Sequence, residues 1–403
     1  MPERQTRLLT VDDFAASLRL GFEAFGTPPA GTPTPSAAEF PLPGRHSWGT
    51  FADDRLVARV IGREFEAWFH GRTVPTCGIA GVTVVAEHRG EGLLTDLMAA
   101  TLTEATGRGE ALSALFPSAP GIYRPFGYEL VGSYDVIEVP VGELAVVRPP
   151  ASPTTTRRAT AADVDAVRGI YDAWAANQNG PLTRRGPSFP ATAEELVDGF
   201  TGVTLAVDEA GAVVGFCSWD RGTGYDTDAT VEVRDLLALT PDGYRALWRM
   251  LGSFTAVTGQ VRVSTSGDDL ARLVLPSASW RVRERYPYML RVHDVATALT
   301  GIPTPGEADL ALAVAGDRLG TANGSYRLRA NGGRTTCEPT DGTDTGTSAP
   351  APVFDVRGLA LAYAGAQSCE NLRLAGLLTG PDAHDATLDA LLGGRQLHIR
   401  DYF

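Results

Sequence analysis

At roughly 150 residues per domain, a chain of 403 residues holds two or three domains. Apolar residues make up 43% and charged residues 21%, which excludes a disordered polymer and suffices for a large core. Forty-eight acidic against 35 basic side chains leave a net charge of −13. Such a field repels nucleic acid and anionic lipid and draws in cations such as polyamines, aminoglycosides and lysine-rich peptides.

The opening Met1-Pro-Glu-Arg-Gln-Thr-Arg-Leu8 lacks the apolar core of a signal peptide, and no run of about 18 apolar residues occurs. Neither export nor a membrane span is expected. Cys77, Cys217, Cys337 and Cys369 are too far apart for a metal clip and read as reduced cytoplasmic thiols. None of the six histidines stands at ligand spacing to another, so no metal is expected.

Two composition breaks divide the chain. Arg148-Pro-Pro-Ala-Ser-Pro-Thr-Thr-Thr156 is a stiff connector, and Thr300-Gly-Ile-Pro-Thr-Pro-Gly306 a softer one. The units expected are 1–147, 157–299 and 300–403. The first begins with a short strand and a helix capped by Asp12 or Asp13, with Phe14, Leu18, Phe22 and Phe25 on one stripe. A hairpin turn at 51–56, a strand over Cys77–Val85, a helix over 92–106 and a buried strand over Ala111–Phe116 complete a β-α-β-β-β-α-β-α-β order. The second unit repeats part of this: a strand at Thr156–Ala159, a helix capped near Thr160 to Asp163, strands at Val203–Val207 and Ala212–Asp220, and a helix entered at Pro241. No cluster of glycines or arginines frames the start of that last helix, which marks a degenerate second copy. In the third unit Asn331-Gly-Gly333 separates alternating runs and predicts a hairpin. Asp341–Ser348 reads as a mobile loop, helices follow near 356–363 and 387–392, and Gln396–Phe403 is strand-like.

Val82-Thr-Val-Val-Ala-Glu-His-Arg-Gly-Glu-Gly-Leu-Leu-Thr95 carries the chemistry. A strand runs into an Arg-x-x-Gly turn that opens a helix, whose free N–H groups and dipole suit a pyrophosphate. Gly90 and Gly92 permit close approach, and Arg89 supplies charge. An ordinary strand-to-helix turn with a solvated arginine is the competing reading.

With this segment the chain resembles the GNAT acetyltransferases, and more closely the Eis (enhanced intracellular survival) branch of aminoglycoside-modifying N-acetyltransferases. The shared pieces are His88-Arg-Gly-Glu-Gly-Leu-Leu94, Gly121-Ile-Tyr-Arg-Pro-Phe-Gly-Tyr128, Leu290-Arg-Val-His-Asp-Val-Ala-Thr-Ala-Leu299 and a terminal phenylalanine. The third unit, with Gly358-Leu-Ala-Leu-Ala-Tyr-Ala-Gly365 and Leu374-Ala-Gly376, is similar to a sterol carrier protein-like domain. The fold implied is mixed α/β (α+β): a catalytic GNAT unit, a degenerate GNAT unit, then the carrier-like unit.

The resemblance also implies roles. Val82, Thr83 and Val84 would pair with the pantetheine arm of acetyl-CoA; Arg89, Gly90, Glu91, Gly92, Leu93, Leu94 and Thr95 would hold its pyrophosphate; Ser118 and Ala119 would line its channel. Gly90 and Glu91 stand where the family tends to carry arginines, which weakens the cradle's charge. The family's acidic pocket residue falls at Ala24, beside Glu23, and its penultimate glutamate at Tyr402, beside Asp401. Glu23 and Asp401 are therefore the candidates for gripping a cation, with Glu64 and Glu66 behind them. Tyr123 would be the general acid: a phenol near ~10 matches a thiol leaving group near ~8.5. The competing reading is a packed tyrosine bonded to backbone. The α-carboxylate of Phe403 would be the base. Against an ammonium near ~10.4, a carboxyl near ~3.5 faces a gap of about 9 kcal/mol, so desolvation or a relaying water must help. Otherwise Phe403 merely plugs the core.

The activity implied is acetyl transfer from acetyl-CoA to amines of aminoglycosides, lysine or polyamines, directly in a ternary complex, by a cytoplasmic homohexamer. A lipid-binding protein with a vestigial transferase half is the alternative.

Overall fold

The computed structural model describes residues 4–29, 32, 35–189, 192–224, 226–275, 280–341 and 351–403. The first unit runs β1 (Arg4–Leu8), α1 (Phe14–Phe25), β2 (Arg45–Ala52), β3 (Arg55–Phe69), β4 (Arg72–Val84), α2 (Leu93–Gly107), β5 (Leu112–Leu115), the single turn α3 (Pro120–Tyr123) and β6 (Glu129–Pro140), the expected order. The second has β7 (Thr155–Arg158), α4 (Val164–Ala175), α5 (Ala193–Asp198), β8 (Gly202–Val207), β9 (Val213–Arg221), β10 (Asp226–Ala238), α6 (Pro241–Gly252), β11 (Thr258–Thr265), the short α7 (Ala271–Val274) and β12 (Arg281–Val292).

The duplication shows in a repeated local device. Thr10 and Asp13 form a capping box in which Arg7 holds the Asp13 carboxylate with two bonds of 2.7 and 2.9 Å. Thr160, Asp163 and Arg157 repeat it, with bonds of 2.9 and 2.6 Å. In both places the Arg bond holds the aspartate well below the usual carboxylate range, Asp13 at about 2.

The two units are interlocked rather than side by side. Their strands make one sheet in the order β1-β2-β3-β4-β5-β12-β6-β11-β10-β9-β8-β7. β12, the last strand of the second unit, is inserted between β5 and β6, with Met289 opposite Leu115. β6, the last of the first, pairs in turn with β11. The connector expected near 148–156 is thus a covalent boundary that the sheet crosses.

The third unit packs α8 (Val295–Leu299), α9 (Val356–Tyr363), α10 (Cys369–Leu374) and α11 (Asp385–Leu392) on a sheet of β13 (Ala308–Ala315), β14 (Gly324–Asn331), β15 (Arg334–Thr340), β16 (Val353–Asp355) and β17 (Leu378–Thr379), ordered β15-β14-β13-β16-β17. The predicted hairpin joins β14 to β15, and Gly332 and Gly333 both take the positive φ that its turn demands. Beyond Asp341, the loop expected over 341–348 lies outside the described residues. Gln396–Phe403 is extended but is not a strand: only Leu397 bridges, to Asn179. Among the described residues no helix is long and apolar enough to cross a membrane.

One core spans all three units, joining Phe65 and Phe69 of β3, Tyr288 and Leu290 of β12, and Phe354, Leu359 and Tyr363 of the third unit. At its margin Glu110 is 4% exposed, and burial, opposed by Arg108 at 2.7 Å, pushes its carboxyl up to about 7. The native state therefore keeps a proton that the unfolded chain releases above its ordinary pKa, so this contribution is present in acid and lost as pH rises to about 7. Glu110→Gln escapes the loss. Its stability relative to wild type should rise between pH 5 and 8 by on the order of 3 kcal/mol, read as Tm against pH; parallel Tm curves would refute it.

Candidate active site

The site begins where two strands part. β4 and β5 run parallel only from Thr76 opposite Leu112 to Ile79 opposite Leu115, where β5 ends. β4 continues to Val84 along β3, with a register shift at Gly81 (φ +57°). On the β5 side, the backbone of 80–84 is left without a strand partner, and a wedge opens. The Thr83 hydroxyl, buried in that wedge, has no hydrogen-bond partner among the described residues.

The turn after β4 supplies the cradle. Gly90 and Gly92 have φ of 82° and 79°, and a Cβ at either would meet nothing within 4 Å. Glycine is thus required there by backbone conformation, not by crowding. Among the described residues no carbonyl accepts from the N–H groups of Gly90, Glu91, Gly92, Leu93 or Leu94, as the first turn of a helix requires. Arg89 donates to the Val84 carbonyl at 3.3 Å and stays exposed. Glu91 does not burden the cradle as expected, because Arg4 of β1 and His88 (3.2 Å) take its carboxylate.

A cavity of about 680 Å³ occupies the wedge, lined by Val82, Thr83, Val84, Arg89, Gly90, Gly92, Leu93, Leu94 and Ser118 of the expected set. Glu91, Thr95 and Ala119 do not line it. Tyr123 does line it, and so do three groups outside the expected set: Phe25 at the end of α1, Ile122 with Pro125 and Phe126, and Arg318 of the third unit. The Gly121–Tyr128 motif contains the second; nothing in the sequence marks the third.

A second cavity, of about 400 Å³, shares Phe25, Val82, Ser118 and Tyr123 with the first and adds Phe116, Tyr286, Tyr402 and Phe403. Tyr123, 6% exposed, stands on the shared wall. Its hydroxyl has no hydrogen-bond partner among the described residues, and burial pushes its pKa above the ordinary phenol value, so it is protonated at neutral pH. Tyr123 packs in the core with Phe126, as the competing reading has it, but without the bond to backbone.

The C-terminal segment is pinned on its way to this wall. His398 donates its N–H to the Asn179 carbonyl at 2.8 Å and pairs with Asp269 at 2.8 Å. Arg400 donates to Ser264 and Arg234 carbonyls and to Asp235. Phe403 then inserts its ring 4.8 Å from Phe65 and 5.3 Å from Phe116. Its ring also comes within 2.9 Å of where a Cβ on Gly78 would stand, so β4 needs glycine there. No cationic side chain pairs with the Phe403 carboxylate among the described residues.

Two candidates are corrected. Asp401 is 4% exposed and belongs to Arg184 (3.0 Å) and Arg234 (3.3 Å), away from both cavities. Glu23 is exposed and lines neither cavity, although its neighbours Ala24 and Phe25 do line the first. Glu64 pairs with His46 at 2.7 Å, and Glu66 is exposed outside both. Among the described residues no Asp or Glu side chain lines the second cavity, whose wall is largely aromatic.

The parted strands and the glycine turn that leads into α2 belong to a GNAT fold, and comparison with known proteins shows that family. Residues 5–131 and 180–292 each match the acetyltransferase (GNAT) domain family, and 295–400 the sterol carrier protein domain. An uncharacterized N-acetyltransferase of Streptomyces griseus is 31% identical over 390 residues, 91% of either chain. A GCN5-related N-acetyltransferase from Kribbella flavida superposes with a TM-score of 0.81 at 28% identity, covering 100% of this chain and 99% of that one. Eis1 from Mycobacterium abscessus shares the fold at 22% identity, with a TM-score of 0.75 over 99% of this chain and 100% of that one. The chain belongs to the GNAT N-acetyltransferase family, and it is an acetyltransferase.

Proposed function

We propose that the protein transfers acetyl from acetyl-CoA directly to a primary amine in a ternary complex, with Tyr123 and the Phe403 carboxylate as acid and base. The observation that carries this is their common cavity, continuous with the wedge beside β4. The unpaired edge of β4 and the buried Thr83 hydroxyl fit a pantetheine arm, and the free N–H groups ahead of α2 fit a pyrophosphate. The bound thioester supplies an activated acyl carbon. The Phe403 carboxylate then takes a proton from the amine, and the Tyr123 hydroxyl gives one to the departing thiolate.

Of the amines expected, the cavity favours those with one cation on an apolar body over polycationic aminoglycosides. Phe25, Phe116, Tyr286 and Tyr402 line the second cavity together with Phe403, and Phe25 (67% exposed) and Tyr402 (53%) leave apolar surface at its rim. An Eis-like activity on aminoglycosides is the second outcome of the same test. Against the lipid-carrier alternative, Phe354, Leu359 and Tyr363 fill the interior of the third unit with buried side chains.

Purified protein given acetyl-CoA, a thiol reagent and phenethylamine, spermidine or kanamycin should release CoA, fastest with phenethylamine. Kanamycin as the better substrate would reverse the selectivity argument; silence across a broad amine panel would overturn the activity.

A further inference from the structure

Arg318 lies some two hundred residues beyond the cradle in sequence, on the loop between β13 and β14, yet it lines the larger cavity beside Pro125 and Phe126. Its placement is built by the residue before it. Asp317, 4% exposed, accepts two bonds from the fully buried Arg291 of β12 at 3.0 and 2.8 Å. The same carboxylate accepts from the Thr321 hydroxyl and from the N–H groups of Leu319 (3.1 Å) and Ala322 (2.9 Å). Asn323 closes the loop by pairing with both backbone groups of Asp317. Although burial alone would raise it, Arg291 keeps the Asp317 carboxyl below its ordinary value, so the pair is charged. Arg291 also donates to the carbonyl of Phe126, on the cavity wall, and Leu319 packs on the first unit's core.

A buried ion pair is weak evidence of stability, because desolvation offsets its attraction. What this one does is fix a loop of the third unit against the wall of the first. The residue so presented is an exposed arginine with no carboxylate partner among the described residues. In a protein with net charge −13, and in a cradle with Arg89 as its one arginine, an unpaired guanidinium aimed at the cavity is a ready anion contact.

We propose that Arg318 binds the phosphate groups of CoA, so that the carrier-like unit completes the cofactor site through Arg291 and Asp317. This rests on the acetyl-CoA reading above. Calorimetric titration of CoA into the full-length protein tests it. Arg318→Ala should weaken binding about 10-fold at low salt, the difference should shrink at 300 mM salt, and Arg318→Lys should recover part of it. If wild type binds CoA and Arg318→Ala binds it equally, the proposal falls while the acetyl-CoA reading stands. A loss that ignores salt and is not recovered by lysine would make Arg318 a mere wall residue, which also overturns it. If wild type binds no CoA, the acetyl-CoA reading itself fails.

Discussion

Extending the chain by a few residues past Phe403, or amidating it, is expected to lower kcat by about 100-fold or more, the usual scale of a lost acid–base group, with CoA affinity unchanged. Either change leaves the ring where it is, between Phe65 and Phe116, and leaves the wedge beside β4 untouched. What it removes is the free α-carboxylate of Phe403, a residue that lines the cavity shared with Tyr123, where no Asp or Glu stands among the described residues. The companion measurement is calorimetry with CoA, which separates a lost base from a lost fold. Full turnover by an extended chain would show that Phe403 only fills space.

Tyr123→Phe should lower kcat by about 100- to 1,000-fold, again on the scale of general acid catalysis, without weakening CoA binding. The change is clean because, among the described residues, the hydroxyl makes no hydrogen bond that its removal would break. The ring keeps its burial and its contact with Tyr128, at 6.3 Å between centroids. Thermal stability should move by less than about 0.5 kcal/mol, as for a substitution that breaks no packing or bonding. Since burial raises the phenol's pKa, wild type should show no alkaline loss of rate from this group below its ordinary value near ~10. Unimpaired turnover by Tyr123→Phe would assign proton delivery elsewhere.

Sequence legibility followed the range of the interactions involved. The cradle was readable because its causes are local: two glycines at positive φ and a helix that starts at Leu93. So was the β14–β15 hairpin. The exchange of β6 and β12 was not, because an alternating apolar run announces a strand and not its neighbour. Tyr286, which enters the second cavity on β12, was hidden for the same reason. Asp401 misled because its nearness to Phe403 in sequence suggested a shared site. The arginines that claim it, Arg184 and Arg234, come from far upstream. Glu23 misled for a helical reason: successive residues of α1 point about 100° apart, so neighbours of lining residues need not line anything.

The crossing of β6 and β12 also dictates the order of assembly. β5 cannot acquire its second neighbour until residues 281–292 exist, although β4, its first, precedes it in the chain. Until then a freshly made first half carries a bare strand flank beside the wedge, open to pairing with another copy. Ladders of such long sequence separation close slowly. Synthesis of the acetyl-transferring half is therefore not enough to make it competent; it must wait for its neighbour's last strand.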